Sequence, residues 1–346
     1  MRFYKDSQKI YLDSAKAGPM YYELLDWRTK YERKSLVEKS QIRNNHENLV
    51  KEVEKKITKF FNVKDGSVFF TTSFSLGFHS LLNQIKRKPS FLVLEDDYPS
   101  ISEAIISKGF EIIYVKNDAF VEKNIENAIK KYKPNFIAIS IVQWIDGLQI
   151  DIDFLKYLKK KYSDISIIAD GTQFCGTSKF DFSKSPFDVL ISSGYKWMLS
   201  GYGVAFILVK KNFYSNKFFN SNYNELKKSI EVGHYDMLSI GSLGFSIDKL
   251  KPMIGKIEKK LITFSKFFKK ELESINMLDE KLKDRKSHST IFNLKDSDDK
   301  LFKHLVDNKM ICSKRGKGVR VSFNFFNTKS EIKKLIIALK KFNLRP

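Results

Sequence analysis

Between Ser67 and Lys210, seven short apolar runs (SVFFTT, FLVLEDD, EIIYVK, FIAISIVQ, SIIAD, DVLISS and VAFILVK) are interleaved with amphipathic stretches such as GFHSLLNQI, ISEAIISKG, NIENAIKKY and DFLKYLKKKY. Runs of Val, Ile and Phe bounded by turn residues read as buried strands, and charged stretches with apolar residues three and four apart read as helices. Strands that alternate with helices need crossover connections, so the chain is expected to build a mostly parallel sheet with helices on both faces, an α/β fold. Ligands of such sheets gather beyond the carboxyl ends of the strands.

Upstream of this block, KIYLDSAKAGP reads as a short extended segment, and a polar, charge-rich stretch from about Met20 to Phe61 reads as helical. Beyond Lys211 the alternation stops. A linker rich in Asn, Ser and Phe leads through IEVGHYDMLSIGSLGF to a long amphipathic helix over KIEKKLITFSKFFKKELESI. Strands near STIFNL and GVRVSFNFF and helices near LFKHLVDN and SEIKKLIIALKKF then suit a smaller α+β unit. A chain of 346 residues is long for one domain. We expect a large domain over residues 18–250 and a small C-terminal domain over 251–346, with residues 1–17 packing nearby.

The formal charge is +22, with a pI near 9.6. Charge of this size can attract nucleic acid or acidic lipid. The lysines, however, are spread over KEVEKK, KKYK, LKKKY, KIEKK and FKKELE, mixed with acids at helical spacing, which reads as solvated helix faces. With no stripe of alternating basic and aromatic residues and no reader motif, nucleic acid is not an expected partner. A non-catalytic nucleic-acid-binding protein on the same fold is the rival reading. No apolar run approaches the length of a membrane span and no cleavable leader pattern opens the chain, so a cytoplasmic location away from membranes is expected. Cys175 and Cys312 lie far apart, outside any C-x-x-C or Cys/His cluster, which argues against a disulfide framework and a metal site.

The chemistry concentrates between Ile165 and Val209. One apolar run ends at Asp170, another at Ser192 and Ser193, and Lys196 follows directly, which brings a carboxylate and an amine to neighbouring strand ends. Pyridoxal phosphate needs that pair: a carboxylate keeps its pyridinium nitrogen protonated, and an amine holds its aldehyde as an imine. Alone, Lys196 is one more lysine in a basic chain, and Asp170 one more turn-starting acid after a strand.

Seven segments in order, YLDSAKAGP, FFTTSFSLG, EDDYPS, IADGTQFCG, SGYKWMLSGYG, EVGH and GVRVSFNFFNT, resemble the class V aminotransferase-like enzymes, the branch of fold-type I pyridoxal phosphate proteins that includes cysteine desulfurases and kynureninases. The resemblance implies the fold-type I architecture, a large domain with a seven-stranded, mostly parallel sheet plus a smaller α+β C-terminal domain, and pyridoxal 5'-phosphate as cofactor. It makes Lys196 the Schiff-base lysine and proton shuttle, Asp170 the pyridinium partner and Gln173 the neighbour of the phenolic oxygen. Phe74 and Ser75 fall at the phosphate-loop positions, with Thr72 and Ser73 nearby, and Ser193 and Tyr195 add hydroxyl donors; relatives often carry His at the position of Tyr195. Tyr98 matches the ring that covers the cofactor face, and Gln143, Trp144 and Gly147 lie where relatives approach ring and substrate. His234 matches a residue that reaches the phosphate of a partner subunit, which implies a homodimer. Arg320 resembles the arginine that grips the substrate α-carboxylate with its planar fork.

Desulfurases collect sulfur on a mobile cysteine well ahead of that arginine. Cys312 stands only eight residues before Arg320, at what reads as a strand edge, and Cys175 has no activating partner in sequence. That points away from simple cysteine desulfuration. The resemblance implies a pyridoxal phosphate enzyme acting on an α-amino acid through a Cα carbanion; kinship with kynureninase-like members favours cleavage of the substrate side chain, and amino-group transfer is the alternative.

Overall fold

The structure, a computed structural model, describes residues 1–346 apart from Ser7, Asn220, Ser287, Ser297 and residues 344–346. Strand β1 (Ile10–Tyr11) precedes helices α1 (Tyr22–Glu38) and α2 (His46–Phe60). The alternating block follows: β2 (Gly66–Thr71), α3 (Phe74–Leu82), β3 (Ser90–Leu94), α4 (Pro99–Ser107), β4 (Glu111–Val115), α5 (Val121–Tyr132), β5 (Phe136–Ser140), α6 (Ile152–Lys161), β6 (Ser166–Asp170), β7 (Val189–Ser193) and β8 (Ala205–Lys210). The remainder comprises α7 (Tyr223–Ile230), α8 (Met237–Leu250), α9 (Ile254–Ser274), β9 (Ile291–Lys295), α10 (Lys300–Asp307), β10 (Met310–Ile311), β11 (Ser313–Arg315), β12 (Gly318–Ser322) and α11 (Lys329–Asn343).

Seven strands form the main sheet in the order β2-β8-β7-β6-β5-β3-β4, and within it β8 runs antiparallel to both of its neighbours. β5, β6 and β7 are buried along their whole length, as near-continuous apolar runs must be when helices cover both faces. Alternate side chains serve the two sides. Phe69, Phe91, Phe136 and Ile191 pack toward α3, α4 and α7, while Phe70, Leu92, Ile137 and Leu190 join the larger core with α2, α5, α6 and α8. The mostly parallel α/β architecture expected from the alternation is the one observed, and a separate antiparallel sheet, β11-β12-β9, stands beside it.

Two local departures have physical causes. The helical stretch from Met20 to Phe61 is broken by Lys39, whose φ of 51° ends α1, and a 3-10 turn over Lys39–Asn45 redirects the chain into α2. The polar linker after Lys211 contains α7, started by a capping box in which Asn222 and Glu225 satisfy each other's backbone N–H groups. The amino-terminal segment is tied to the far end of the chain: β1 pairs in parallel with β10, and Asp13 bridges Ser322. Among the described residues, no helix is long and apolar enough to cross a membrane.

Candidate active site

The carboxyl ends of β2, β3, β5, β6 and β7 converge on one place. β6 ends at Asp170 and pairs in register with β7, whose last residue, Ser193, leads into the loop that carries Lys196. Both charged residues are buried, Asp170 to 7% and Lys196 to 9% exposure. Desolvation pushes the Lys196 ammonium well below the usual lysine range and the Asp170 carboxyl above the usual carboxylate range, and the attraction between them opposes both shifts. Neither closes an ion pair. Asp170 Oδ1 accepts from the Thr172 N–H at 2.7 Å, and Lys196 Nζ stands 5.5 Å and 6.0 Å from the ring centres of Tyr195 and Tyr98. A buried amine and a buried carboxylate that attract without pairing leave each free to engage a third group between them.

Rings wall this space. Tyr98 meets Phe74 and Trp144 edge-on, each at 6.0 Å between centres, and Tyr195 stacks on Tyr202 at 4.7 Å. Asp97 fixes Tyr98 in place, because its carboxylate accepts from the Tyr98 N–H at 2.7 Å and from the Ser140 N–H at 3.0 Å, joining the ends of β3 and β5.

The start of α3 meets the end of β7. Ser73 caps the helix by accepting from the Leu76 N–H, and the Phe74 N–H donates to Ser193 Oγ at 3.0 Å. The Ser193 N–H in turn donates to Thr172 Oγ1 at 3.2 Å, and the hydroxyls of Ser75 and Ser100 share a hydrogen bond at 2.8 Å. A helix start ringed by hydroxyls suits an anion such as a phosphate.

The amino-terminal segment closes another side. Gln173 donates from Nε2 to the Ala15 carbonyl at 2.9 Å and accepts from Trp197 Nε1 at 2.7 Å, and the Gly18 N–H donates to the Tyr195 carbonyl at 2.9 Å. Gln143 is buried and donates to the Ser140 carbonyl. Gly147 turns with a φ of 77° against β9, where a Cβ would lie 2.2 Å from the Ile291 carbonyl oxygen.

Arg320 arrives from β12. Although 2% exposed, it is held from several sides: Nη1 donates to the Trp144 carbonyl at 2.8 Å, and Nη2 lies 3.5 Å from both Ser313 Oγ and Asp13 Oδ1. Its Nε is buried without a partner. Burial lowers its pKa to about 10, and its charge acts on Lys196. His234 stands elsewhere, exposed ahead of α8 and in contact with Arg43. Its hydrogen-bond partner among the described residues, Arg43, lies outside the cluster.

Thr172, Asp97, Ser100, Asp13 and Ser313 join the site without having been singled out from the sequence. Asp97 had a visible signal, being the second acid of EDDYPS immediately before Tyr98. Asp13 and Ser313 are 300 residues apart and joined by a 2.6 Å hydrogen bond, which no local pattern encodes. Both thiols are raised to about 12 by burial, Cys175 beside Asp170 and Cys312 between β10 and β11.

The donor set fits pyridoxal phosphate: an amine for its aldehyde, a carboxylate for its ring nitrogen, a ring for its face and a hydroxyl-lined helix start for its phosphate. An uncharacterized protein, C11D3.10, from Schizosaccharomyces pombe is 25% identical over 319 residues, covering 81% of this chain and 73% of its own length. The fold is shared with a cysteine desulfurase from Thermococcus onnurineus, at a TM-score of 0.81 and 16% identity over 99% of this chain and 98% of the other. It is shared also with a cystine C–S lyase solved with its reaction product cysteine persulfide, at a TM-score of 0.81 and 15% identity over 96% and 97% of the two chains. A mutant of that lyase carries glycine covalently linked to its pyridoxal phosphate. Residues 10–335 match the class-V aminotransferase family. The chain belongs to that family of enzymes, whose cofactor is pyridoxal 5'-phosphate.

Proposed function

We propose that this enzyme is a lyase that removes the Cβ substituent of an α-amino acid, releasing it into solution instead of onto a protein thiol. The burial of Lys196 beside Asp170 without an ion pair between them carries the reading. When bound, the cofactor supplies an aldehyde that condenses with amines and a ring that takes up the electron pair left at Cα. Lys196, its pKa lowered by burial, would hold the aldehyde, and its Nζ would take the Cα proton of the substrate. Asp170 keeps the ring nitrogen protonated, Tyr98 covers the ring face, and Gln173 has a second Nε2 hydrogen for the phenolic oxygen. Ser75, Ser193 and the Phe74 turn receive the phosphate, with Tyr195 at the rim. Arg320 takes the substrate carboxylate, for which its unpartnered Nε is free, and Gln143 lines the approach.

Two observations favour side-chain cleavage without a sulfur relay. Neither Cys175 nor Cys312 has the lowered pKa of a thiolate acceptor. A cystine C–S lyase that shares the fold over nearly the whole chain was solved with its reaction product, cysteine persulfide. We further propose a cytoplasmic homodimer in which His234 serves the partner subunit's cofactor phosphate. The test is a panel of α-amino acids with and without a Cβ leaving group, followed for keto acid, released fragment and amino-group transfer. Keto acid formed together with the fragment supports the lyase, whereas accumulation of the pyridoxamine form with an amino donor replaces it with a transaminase.

A further inference from the structure

The lysines that look scattered along the sequence are not scattered in space. β6, β5 and β3 are consecutive in the sheet, so the connections that enter them lie side by side at the end opposite the active site. The connection into β3 exposes Lys86, Arg87 and Lys88, and the last turn of α5 with the connection into β5 exposes Lys130, Lys131 and Lys133. The last turn of α6, just ahead of the connection into β6, adds Lys160 and Lys161. Asp164 is the one acid in these three connections. From the helices, Glu126 pairs with both Lys130 and Lys161, and buried Asp188 pairs with Lys159, so most of the amines keep no carboxylate.

The surface is concave as well as basic. Two hollows of about 550 Å³ and 310 Å³ open on part of it, the larger lined by Lys130, Lys133 and Lys161, and the two share Ser163, Asp164 and Lys217. Aromatic rings lie among the amines: within the hollows Lys161 lies over Tyr162 at 5.5 Å and Lys217 over Phe218 at 5.4 Å, and on the adjoining helices Lys131 lies over Tyr132 at 4.7 Å and Lys161 over Tyr157 at 5.1 Å. Tyr132 and Tyr157 are about half exposed. Both surfaces of a single-stranded nucleic acid are met by such a groove, the phosphates by amines and the unstacked bases by rings. An acidic bilayer is flat and rewards a protruding apolar residue, which a hollow does not offer.

We propose that this groove binds single-stranded RNA or DNA as a second property of the enzyme, at a distance from its chemistry. The test uses the cofactor-loaded enzyme and a fluorescein-labelled 20-nucleotide oligo(U), followed by anisotropy at several salt concentrations including 150 mM KCl. K133E/K161E/K217E, which reverses three amines lining the hollows, should weaken binding at least tenfold and lower the salt slope by about 2, at about 0.7 per lost phosphate contact on single strands. K259E/K266E/K270E, which removes the same charge from exposed positions on α9, should change affinity less than twofold. An unchanged cofactor absorbance band shows that both variants are folded. Equal weakening by the two variants would reduce the effect to net charge and overturn the proposal. So would the absence of binding at 150 mM KCl, or phosphatidylserine vesicles that bind at the groove more tightly than the oligonucleotide does.

Discussion

Asp170 and Lys196 carry their charges at a cost that the fold itself imposes. Burial disfavours the ammonium, so in the cofactor-free protein the native state gives up the Lys196 proton at a lower pH than the unfolded chain does. Between the lowered native value and the unfolded value of about 10.4, the unfolded state holds more protons, and stability therefore rises with pH across that window. Lys196→Met removes the penalty: cofactor-free K196M should melt above the wild type at pH 7, with the difference shrinking toward pH 10. A difference that grows with pH in paired melting curves would contradict this. Asp170→Asn should retain the cofactor through Lys196 but lose the charge-assisted hydrogen bond to the ring nitrogen. A loss of about 1.5–3 kcal/mol corresponds to roughly a 10- to 160-fold fall in kcat, which steady-state kinetics would measure.

At the scale of elements, the site depends on how the amino-terminal segment lies across the Lys196 loop. Gly18 packs so closely that a Cβ would sit 2.1 Å from the Lys196 carbonyl oxygen, with the Leu199 side chain at 2.5 Å. Gly18→Ala should therefore lower the melting temperature and the cofactor affinity together, by at least about 1 kcal/mol of stability as overpacking costs. A variant with lowered stability but wild-type cofactor affinity would uncouple this segment from the site. Strands and helices of the alternating block were legible because burial on both faces writes continuous apolar runs, and because Asp170, Ser193 and Lys196 follow directly on two of them. The antiparallel direction of β8 was not legible, since VAFILVK reads the same in either sense. The Asp13–Ser313–Arg320 network was hidden for a different reason: it depends on the pairing of β1 with β10, a register set by packing across nearly the whole chain.

For the whole molecule, charge and assembly are the open consequences of the fold. Lysines that alternate with acids along each helix look neutralised in sequence, yet parallel topology sends the carboxyl-terminal ends of α5 and α6 to the same end, where their basic last turns accumulate. Helix dipoles favour lysines there, so fold and charge reinforce each other. The proposed homodimer should sediment at twice 40.4 kDa, and His234→Ala should weaken cofactor binding in the dimer without changing that mass. A monomer with full activity would remove His234 from the site.

On the proposed mechanism, one lysine holds the cofactor. Borohydride reduction of the enzyme purified with pyridoxal phosphate, followed by peptide mapping, should place the stable adduct on Lys196 within SGYKW. An adduct on any other lysine, or none at all, would remove Lys196 from that role.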